Sequence, residues 1–407
     1  MRLAVLYALL FLAGCGGTST DSGEPACCDP SADPLFLQSK IDDEDGDGNP
    51  LDEDFPAIND EDDDIADHTW IRDANGVYHL FFHNEGLGGT GSDIEHYTST
   101  DLQSLDYVGI ALRKNPGGWD SYALWAPHVL KIGNTYFMFY TGTTGPGEDP
   151  FAEQRIGLAI STDLMTWTRY PVNHCPGTSG DGCIYACAES WTTWSEPSGS
   201  YNRQCRDPFV IWDAINRRWV MLATAKGRDG SGMVTAAYAE DPAVWTGAGY
   251  IDATRRLASG TGGQTTGGQA ENAFITPRFG TYYLLFTDWN DPEDSVTVEN
   301  PRTTAQYATS PTLEADSSGS ANWIYRGYIP DPGVNAIEVI RIDDIWVMSQ
   351  SISNERSGYW ELRRELRLKC IMWEDDYAFG TANVRFPCNP AGLSANPLSV
   401  KPLYAPK

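Results

Sequence analysis

Tyr78-His79-Leu80-Phe81-Phe82, an aromatic residue that opens a short apolar strand, is the segment that decides the fold, because it recurs five times along the chain. The other copies begin at Tyr136, Trp219, Tyr282 and Trp346, so successive copies lie 58, 83, 63 and 64 residues apart. A hairpin turn and another apolar strand precede each copy. Repeats of this length, built from short strands and turns, are typical of β-propellers, in which each repeat is one blade. The sequence therefore predicts an all-β fold, a five-bladed β-propeller with four-stranded antiparallel blades.

Acidic residues stand at a similar distance before three of these five strands. Asp67 and Glu271 precede their aromatic residue by 11 positions, and Asp207 precedes its own by 12. The innermost strands of a propeller line the central axis, so we expect the side chains at their starts to converge on one pocket. The same count of 11 gives Trp125 and Asn335 in the remaining two repeats, and we expect these residues at the same pocket.

The N-terminus resembles the leader of a bacterial lipoprotein. Arg2 is followed by an apolar run that is too short to span a bilayer, and Leu12-Ala13-Gly14-Cys15 is similar to a lipobox. We expect a signal peptide over residues 1–14 and lipid attachment to Cys15. The protein would then be a cell-envelope lipoprotein, at the outer membrane or cell surface, whose lipid is its only link to the membrane. The alternative is an ordinary signal peptide followed by a chance cysteine.

Acidic residues dominate the segment that follows. The net charge is −28, and 14 of the 56 acidic residues fall between Asp42 and Asp67, in a stretch without Lys or Arg. This charge argues against a nucleic-acid partner. Within the segment, alternating oxygen ligands resemble the calcium loops of EF-hands and thrombospondin type 3 repeats: Asp43, Asp45, Asp47, Asn49 and Asp54. The two interpretations are a structural calcium site and a solvated acidic linker.

The boundaries and the cysteines complete the predicted organisation. Residues 15–59 are expected to form the lipidated N-terminus and acidic linker, residues 60–390 the propeller, and residues 391–407 a C-terminal tail. Eight cysteines remain beside Cys15, an even number that favours disulfides in an oxidising compartment. Four of them cluster between the second and third repeats, in an insertion expected at the rim of the pocket, and two more could join the C-terminal segment: Cys175, Cys183, Cys187, Cys205, Cys370 and Cys388. Their pairing is left open by the sequence.

Two segments carry a resemblance to known glycoside hydrolases. Cys205-Arg206-Asp207-Pro208-Phe209-Val210-Ile211-Trp212 resembles the Arg-Asp-Pro segment of families 32 and 68, the invertase and levansucrase group. Trp125-Ala126-Pro127-His128-Val129 resembles the Trp-Ala-Pro segment of family 43, the arabinanase and β-xylosidase group. These families are five-bladed propellers with three acids at the axis, so the resemblance implies the same fold and site for this chain.

The resemblance also implies a role for each acid. Asp67 matches the aspartate that serves as nucleophile or general base, Asp207 the aspartate that holds sugar hydroxyls and tunes the acid, and Glu271 the general acid. Cleavage of a glycosidic bond needs one carboxyl to protonate the leaving oxygen and another to attack the sugar or to activate water. Asp73 is rejected as an alternative to Asp67, because it lies only five residues before Tyr78, in the hairpin turn.

The sequence therefore predicts a glycosidase that acts on a neutral glycan of plant, algal or microbial type. Its stereochemical course, inverting or retaining, is open, as is the oligomeric state. No cofactor is expected for the chemistry, and Ca²⁺ is possible only as a structural ion. The alternative function, from a different class, is a non-catalytic propeller lipoprotein that captures glycan. In either case the substrate contacts are expected to come from five residues: Trp125, Arg206, Trp70, His128 and Asn335.

Overall fold

The computed structural model describes residues 35–36, 38–39, 65–84, 92–145, 152–175, 177–195, 203–255, 269–278, 280–289, 303–316, 322–332, 334–342, 345–354, 363–373 and 379–383. Cys15, the proposed calcium loop, Cys388 and the C-terminal tail lie outside the described residues. No helix among the described residues is both long and apolar enough to cross a membrane.

Five sheets form the blades, and two short strands precede them: β1 (Leu35–Phe36) and β2 (Gln38–Ser39). From the axis outward, blade 1 consists of β3 (Ile65–Arg72), β4 (Tyr78–Asn84), β5 (Ile94–Ser99) and β6 (Ser104–Leu112). Blade 2 consists of β7 (Ala123–Ile132), β8 (Thr135–Thr143), β9 (Gln154–Ser161) and β10 (Thr168–Arg169), with β11 (Cys183–Tyr185) also paired to β9. Blade 3 consists of β12 (Cys205–Asp213), β13 (Arg218–Lys226), β14 (Gly232–Ala239) and β15 (Thr246–Tyr250).

The remaining two blades complete the circle. Blade 4 consists of β16 (Gln269–Arg278), β17 (Thr281–Trp289), β18 (Thr303–Ser310) and β19 (Ile324–Pro332). Blade 5 consists of β20 (Val334–Ile342), β21 (Ile345–Asn354), β22 (Arg363–Trp373) and β23 (Phe379–Asn383). Helix is confined, in the described part of the chain, to two 3₁₀ turns: Thr193–Ser195 and Asp252–Thr254.

The innermost strands close into a ring. β3 contacts β7, β7 contacts β12, β12 contacts β16, β16 contacts β20, and β20 contacts β3 again. Within each blade the first three strands pair antiparallel in chain order. The prediction of a five-bladed β-propeller is therefore confirmed.

The second strand of each blade is the aromatic repeat, and it is buried on both faces. In β4, Leu80, Phe81 and Phe82 are all fully buried although their side chains alternate in direction. Phe81 packs with blade 2 residues, whereas Leu80 and Phe82 pack with Val347 and Leu368 of blade 5. Each blade thus covers both neighbours, which explains why these strands are continuous apolar runs and not alternating ones.

The N-terminal strands clasp the first blade to the last. β1 pairs antiparallel with β22 of blade 5, and β2 pairs parallel with β6 of blade 1. β1 and β23 share the outer edge of β22, since they pair with different residues of that long strand. Residues 35–39 therefore belong to the sheets although the predicted propeller boundary is residue 60, because a two-residue strand has no periodicity that a sequence pattern could show.

Two disulfides organise the insertion between blades 2 and 3. Cys175 is bonded to Cys183, and Cys187 to Cys205, with Cα–Cα distances of 5.7 and 5.5 Å. The second bond attaches the insertion to the first residue of β12, next to Arg206. Both bonds lie within the cluster for which the sequence predicted disulfides.

Candidate active site at the propeller axis

A β-bulge interrupts the start of every innermost strand, where it pairs with the second strand of its blade. Bulges bend a strand and redirect its side chains, and they are frequent beside active sites. In blades 2 to 5 one bulge residue has a positive φ, with values of 45°, 55°, 53° and 40°: Ala126, Asp207, Asn272 and Ala336. Such a conformation costs a non-glycine residue about 1–3 kcal/mol, so the surrounding contacts must maintain it.

The bulges correct the expectation that the three acids occupy one structural position. Asp207 lies inside its bulge, whereas Glu271 is the last paired residue before its own and stands opposite Thr287. The residue of blade 3 that corresponds to Glu271 is Arg206, which stands opposite Thr224. Equal counts from the aromatic residue reach different points because the hairpins between the first and second strands differ in length.

The three acids nevertheless come together around the guanidinium group of Arg206. Its Nη2 donates to Oε1 of Glu271, and its Nε lies 3.5 Å from Oδ2 of Asp207. The negative charges of Glu271, Asp207 and Asp67 raise the pKa of Arg206 above its ordinary value, although burial opposes this effect. One buried cation therefore holds a cluster of three carboxyl groups.

Two glutamine side chains complete the coordination of Arg206. Nη1 donates to Oε1 of Gln154 at 3.2 Å, and Nη2 donates to Oε1 of Gln269 at 2.5 Å. Gln154 begins β9 of blade 2 and Gln269 begins β16 of blade 4. Arg206 is thus bound from both neighbouring blades, which restricts its guanidinium group to one orientation.

Asp207 is the most constrained of the acids. Its backbone N–H donates to Oγ1 of Thr141 at 2.9 Å, and its Oδ2 accepts from the hydroxyl of Thr224 at 2.7 Å. Burial raises the pKa of Asp207 to about 7; Arg206 opposes the shift, and the charges of Asp67 and Glu271 add to it. Near neutral pH this carboxyl therefore exchanges a proton within the cluster, as coupled carboxyl groups do.

Asp67 opens onto the same pocket. The pocket is lined by bulge residues of all five blades, among them Asp67, Asp207 and Asn272. Asp67 is half-buried, and its charge acts on both Arg206 and Asp207. The arrangement places one partly exposed carboxyl beside a buried, hydrogen-bonded pair of acids, an asymmetry that can separate a proton donor from a nucleophile or base.

The predicted contact residues have different surroundings. Trp125 is half-buried beside the ring of His83, at 6.4 Å between centroids. His128 lines the pocket; its Nε2 donates to the carbonyl of Val210 at 3.1 Å, and its Nδ1 lies 3.8 Å from Oε1 of Glu338. Asn335 pairs with Ser351 at the start of β20, in the position that corresponds to Glu271.

Trp70 is not a sugar contact. Its side chain is 8% exposed and packs in a hydrophobic cluster with Ile65 and Tyr78. The indole Nε1 donates to the hydroxyl of Ser349 at 3.0 Å. The sequence placed Trp70 near the rim because it follows Asp67 closely, but the strand turns this side chain toward blade 5.

Sequence reasoning missed the side chains that support the acids, notably Gln154, Gln269, Thr141 and Thr224. A sequence signal for the two threonines exists, because the fifth residue after the aromatic residue of each repeat is polar: His83, Thr141, Thr224, Thr287 and Ser351. A polar residue at a fixed place in a buried apolar strand needs a hydrogen-bond partner. The two glutamines carry no comparable signal.

The described residues contain no group of three or more His, Cys, Asp or Glu side chains that could hold a metal ion. The proposed calcium ligands lie outside these residues, so the calcium loop remains a prediction.

Comparisons with known proteins agree with this site. A model of the glycosyl hydrolases family 43 matches residues 62–379. A probable sucrose-6-phosphate hydrolase of Psychromonas ingrahamii is 29% identical over 174 residues, which cover 42% of this chain and 28% of that protein. The levanase of Bacillus subtilis is 25% identical over 174 residues, covering 39% of this chain and 22% of the levanase. The matches thus span about a quarter of these relatives' own length.

Solved structures share the fold. A GH32 beta-fructofuranosidase of Bombyx mori has a TM-score of 0.59 and 12% identity, covering 88% of this chain and 66% of that one. The endo-arabinase from Bacteroides thetaiotaomicron has a TM-score of 0.54 and 15% identity, covering 77% of this chain and 95% of the endo-arabinase. At these identities the likeness concerns the fold alone.

Proposed function

Because the chain belongs to the glycosyl hydrolases family 43, we propose that it cleaves glycosidic bonds in the axial pocket. The observation that carries the proposal is the cluster of Asp67, Asp207 and Glu271 around the single guanidinium group of Arg206. Hydrolysis of a glycosidic bond needs two carboxyl groups with different tasks, and this pocket supplies three carboxyl groups in three different environments.

In the proposed mechanism Asp67 acts on the anomeric carbon or on the attacking water. Its partial exposure at the pocket suits this role, because the nucleophile or base must meet the sugar ring directly. Glu271 protonates the leaving oxygen. Asp207 holds sugar hydroxyls and, through the shared Arg206, modulates the proton affinity of the acid.

Arg206 is the proposed link between these roles. In the proposed cycle Glu271 exchanges its contact with Arg206 for a contact with the leaving oxygen. The guanidinium group then remains beside Asp207, held by the two glutamine side chains. A substrate hydroxyl that accepts from Arg206 would favour this exchange, which is why Arg206 stays among the proposed substrate contacts together with Trp125, His128 and Asn335.

The proposed substrate is a neutral glycan. The named relatives act on different sugars, so a panel of arabinan, xylan, fructan and agar-derived oligosaccharides is the appropriate assay. Sugar release is measured for the wild type, Asp67→Asn and Glu271→Gln. We expect release by the wild type on one substrate class and a large loss in both variants; release that persists unchanged in both would exclude the assigned roles. The first-formed anomer, observed by NMR, distinguishes inversion from retention.

A non-catalytic glycan-binding propeller is the second candidate. The observation that favours it is that Glu271 is engaged by Arg206, since an ion pair of this kind suits a fixed binding surface as well as an acid. Calorimetry with the same oligosaccharides separates the two functions. Binding by the wild type without release of sugar would support capture instead of hydrolysis.

We propose in addition that the protein works at the cell envelope, anchored through a lipid on Cys15. The support is the lipobox-like segment that ends at Cys15. Replacement of Cys15 by Ala in the producing bacterium should move the protein from the membrane fraction to the soluble fraction. Retention of the variant in the membrane fraction would exclude the anchor.

A further inference from the structure

A buried polar side chain recurs at one position of every blade. It is the fifth residue after the aromatic residue that marks the second strand, and we call the five the polar ring: His83, Thr141, Thr224, Thr287 and Ser351. Each is at most 1% exposed. Burial of a hydroxyl or an imidazole is unfavourable without a hydrogen bond, so five such groups at one level of a propeller call for a common reason.

Three members of the polar ring bond to the bulged strand of the next blade. The Nδ1 atom of His83 accepts from the N–H of Ala126 at 3.2 Å, and Oγ1 of Thr141 accepts from the N–H of Asp207 at 2.9 Å. The hydroxyl of Ser351 donates to the carbonyl of Ile65 at 2.7 Å, which closes the circle from blade 5 to blade 1. Ala126 and Asp207 both have positive φ, so these bonds hold backbone that would otherwise relax.

Asp207 receives a member of the ring on each side. Thr141 of blade 2 binds its amide, and Thr224 of its own blade donates to its carboxylate Oδ2 at 2.7 Å. The same Oδ2 accepts from the N–H of Asn272 at 3.4 Å. Because Asn272 directly follows Glu271, the orientation of Asp207 also affects the backbone that carries the second acid.

We propose that Thr141 and Thr224 are positioning residues, which set the orientation of Asp207 and, through the amide of Asn272, the place of Glu271. Neither threonine is among the residues that line the pocket, so both act through Asp207 and not on the sugar. The inference rests on the proposed function, since it assigns these residues to that same site.

The ring supplies its own control. Thr287 occupies the equivalent position in blade 4 and is fully buried, yet its hydroxyl has no hydrogen-bond partner among the described residues. Thr287→Val therefore removes a buried hydroxyl of the same kind without breaking a bond seen in this part of the chain. Replacement of an unpaired buried polar group by an apolar group of the same shape is neutral or stabilising.

The test compares Thr141→Val, Thr224→Val and Thr287→Val with the wild type, on the substrate that the panel identifies. We expect kcat to fall by about tenfold or more in the first two variants, because each loses a hydrogen bond to an acid or its backbone. KM should change much less, and Thr287→Val should keep both parameters. Thr141→Ser and Thr224→Ser retain the hydroxyl and should recover most of the lost rate.

A second readout does not need activity. Thr224 donates to the charged form of Asp207, so Thr224→Val should raise the pKa of that carboxyl further above its ordinary range. The titration is followed by ¹³C NMR of aspartate-labelled protein, with Asp207→Asn to assign the signal. Thr287→Val should leave the titration unchanged.

The two readouts separate the possible failures. If the wild type releases no sugar from any substrate, the proposed function fails, and the NMR titration still decides on positioning. A shifted titration in Thr224→Val but not in Thr287→Val supports the proposal. Unchanged kcat and unchanged titration in Thr224→Val, or equal effects of Thr224→Val and Thr287→Val, would overturn it.

Discussion

Arg206 balances the charge of the axial pocket at the scale of single residues. It is the cation that Glu271, Asp207 and Asp67 share, and its guanidinium group is buried with them. Charges that are buried together are tolerated only when each is compensated, and the loss of one partner leaves the others without compensation. The stability of the fold and the arrangement of the acids therefore depend on the same side chain.

Arg206→Ala should lower the free energy of unfolding by about 3–5 kcal/mol, the usual cost of breaking a buried ion pair. Urea unfolding at pH 7 measures the change. The matched control is Arg113→Ala, which removes an ion pair with Asp93 in which the arginine side chain is 72% exposed; this variant should cost less than about 1 kcal/mol. Similar losses in both variants would mean that the acids do not depend on Arg206.

His68 links stability to pH. Burial lowers the pKa of His68 to about 3, and its Nε2 contacts the hydroxyl of Ser349 at 2.8 Å. The folded state therefore keeps this ring neutral at a pH where the unfolded chain, with a pKa near 6.5, is protonated. Above that pKa both states are neutral, so the contribution of His68 to stability is complete there and declines as the pH falls toward 3.

Between pH 7 and pH 5, this one group should remove about 2 kcal/mol from the free energy of unfolding. Urea titrations of the wild type and His68→Gln at both pH values test the expectation, and the variant should show a smaller loss between them. His174→Gln serves as the control, because that histidine is exposed. An equal decrease in the wild type and His68→Gln would contradict the assignment.

At the scale of elements, the disulfide-bonded insertion is tied to the strand that carries the pocket. The bond from Cys187 ends on Cys205, the residue before Arg206, whereas the bond from Cys175 to Cys183 stays within the insertion. Trp194 of the insertion also donates from its indole to the carbonyl of Gln154, whose side chain binds Arg206. The insertion thus supports Arg206 from two directions.

Removal of the Cys187–Cys205 bond should therefore affect both stability and function. The double variant Cys187→Ala with Cys205→Ala should lose about 3 kcal/mol of stability, as expected for a loop of this size, and most of its sugar release or glycan binding. The comparison is Cys175→Ala with Cys183→Ala, which should also be less stable but should retain function below its unfolding temperature. If both double variants keep function equally, the insertion does not support the site.

At the scale of the whole molecule, five blades close into a ring by a clasp that comes from the N-terminus. β1 joins blade 5 and β2 joins blade 1, so residues 35–39 bridge the only pair of neighbouring blades that the chain between residues 65 and 383 does not join by a direct connection. A bridge of this kind opposes separation of the first and last blades. It also connects the acidic N-terminal segment to the outer edge of the propeller.

A chain that begins at residue 41 should unfold at a lower temperature than one that begins at residue 30. The first chain lacks both strands of the clasp, and the charges removed with residues 30–40, Asp33 and Lys40, cancel. We expect a decrease in Tm of at least about 2 °C, the shift that a loss of 1 kcal/mol causes in a domain of this size. Scanning calorimetry gives the comparison, and identical Tm values would show that the clasp adds nothing.

The sequence by itself determined the number of blades and the acids of the pocket. A repeat of aromatic strands shows through local spacing, and carboxyl groups that approach an axis are visible as acids before those strands. What the tertiary structure alone decided is how these acids are held: the bulges, the shared Arg206, the two glutamines and the burial of Trp70. These depend on contacts between blades that are distant in the chain, where the side chain that satisfies a buried group has no fixed offset from it. The equal counts from the aromatic residue therefore identified the right acids, although the bulges place them at different positions.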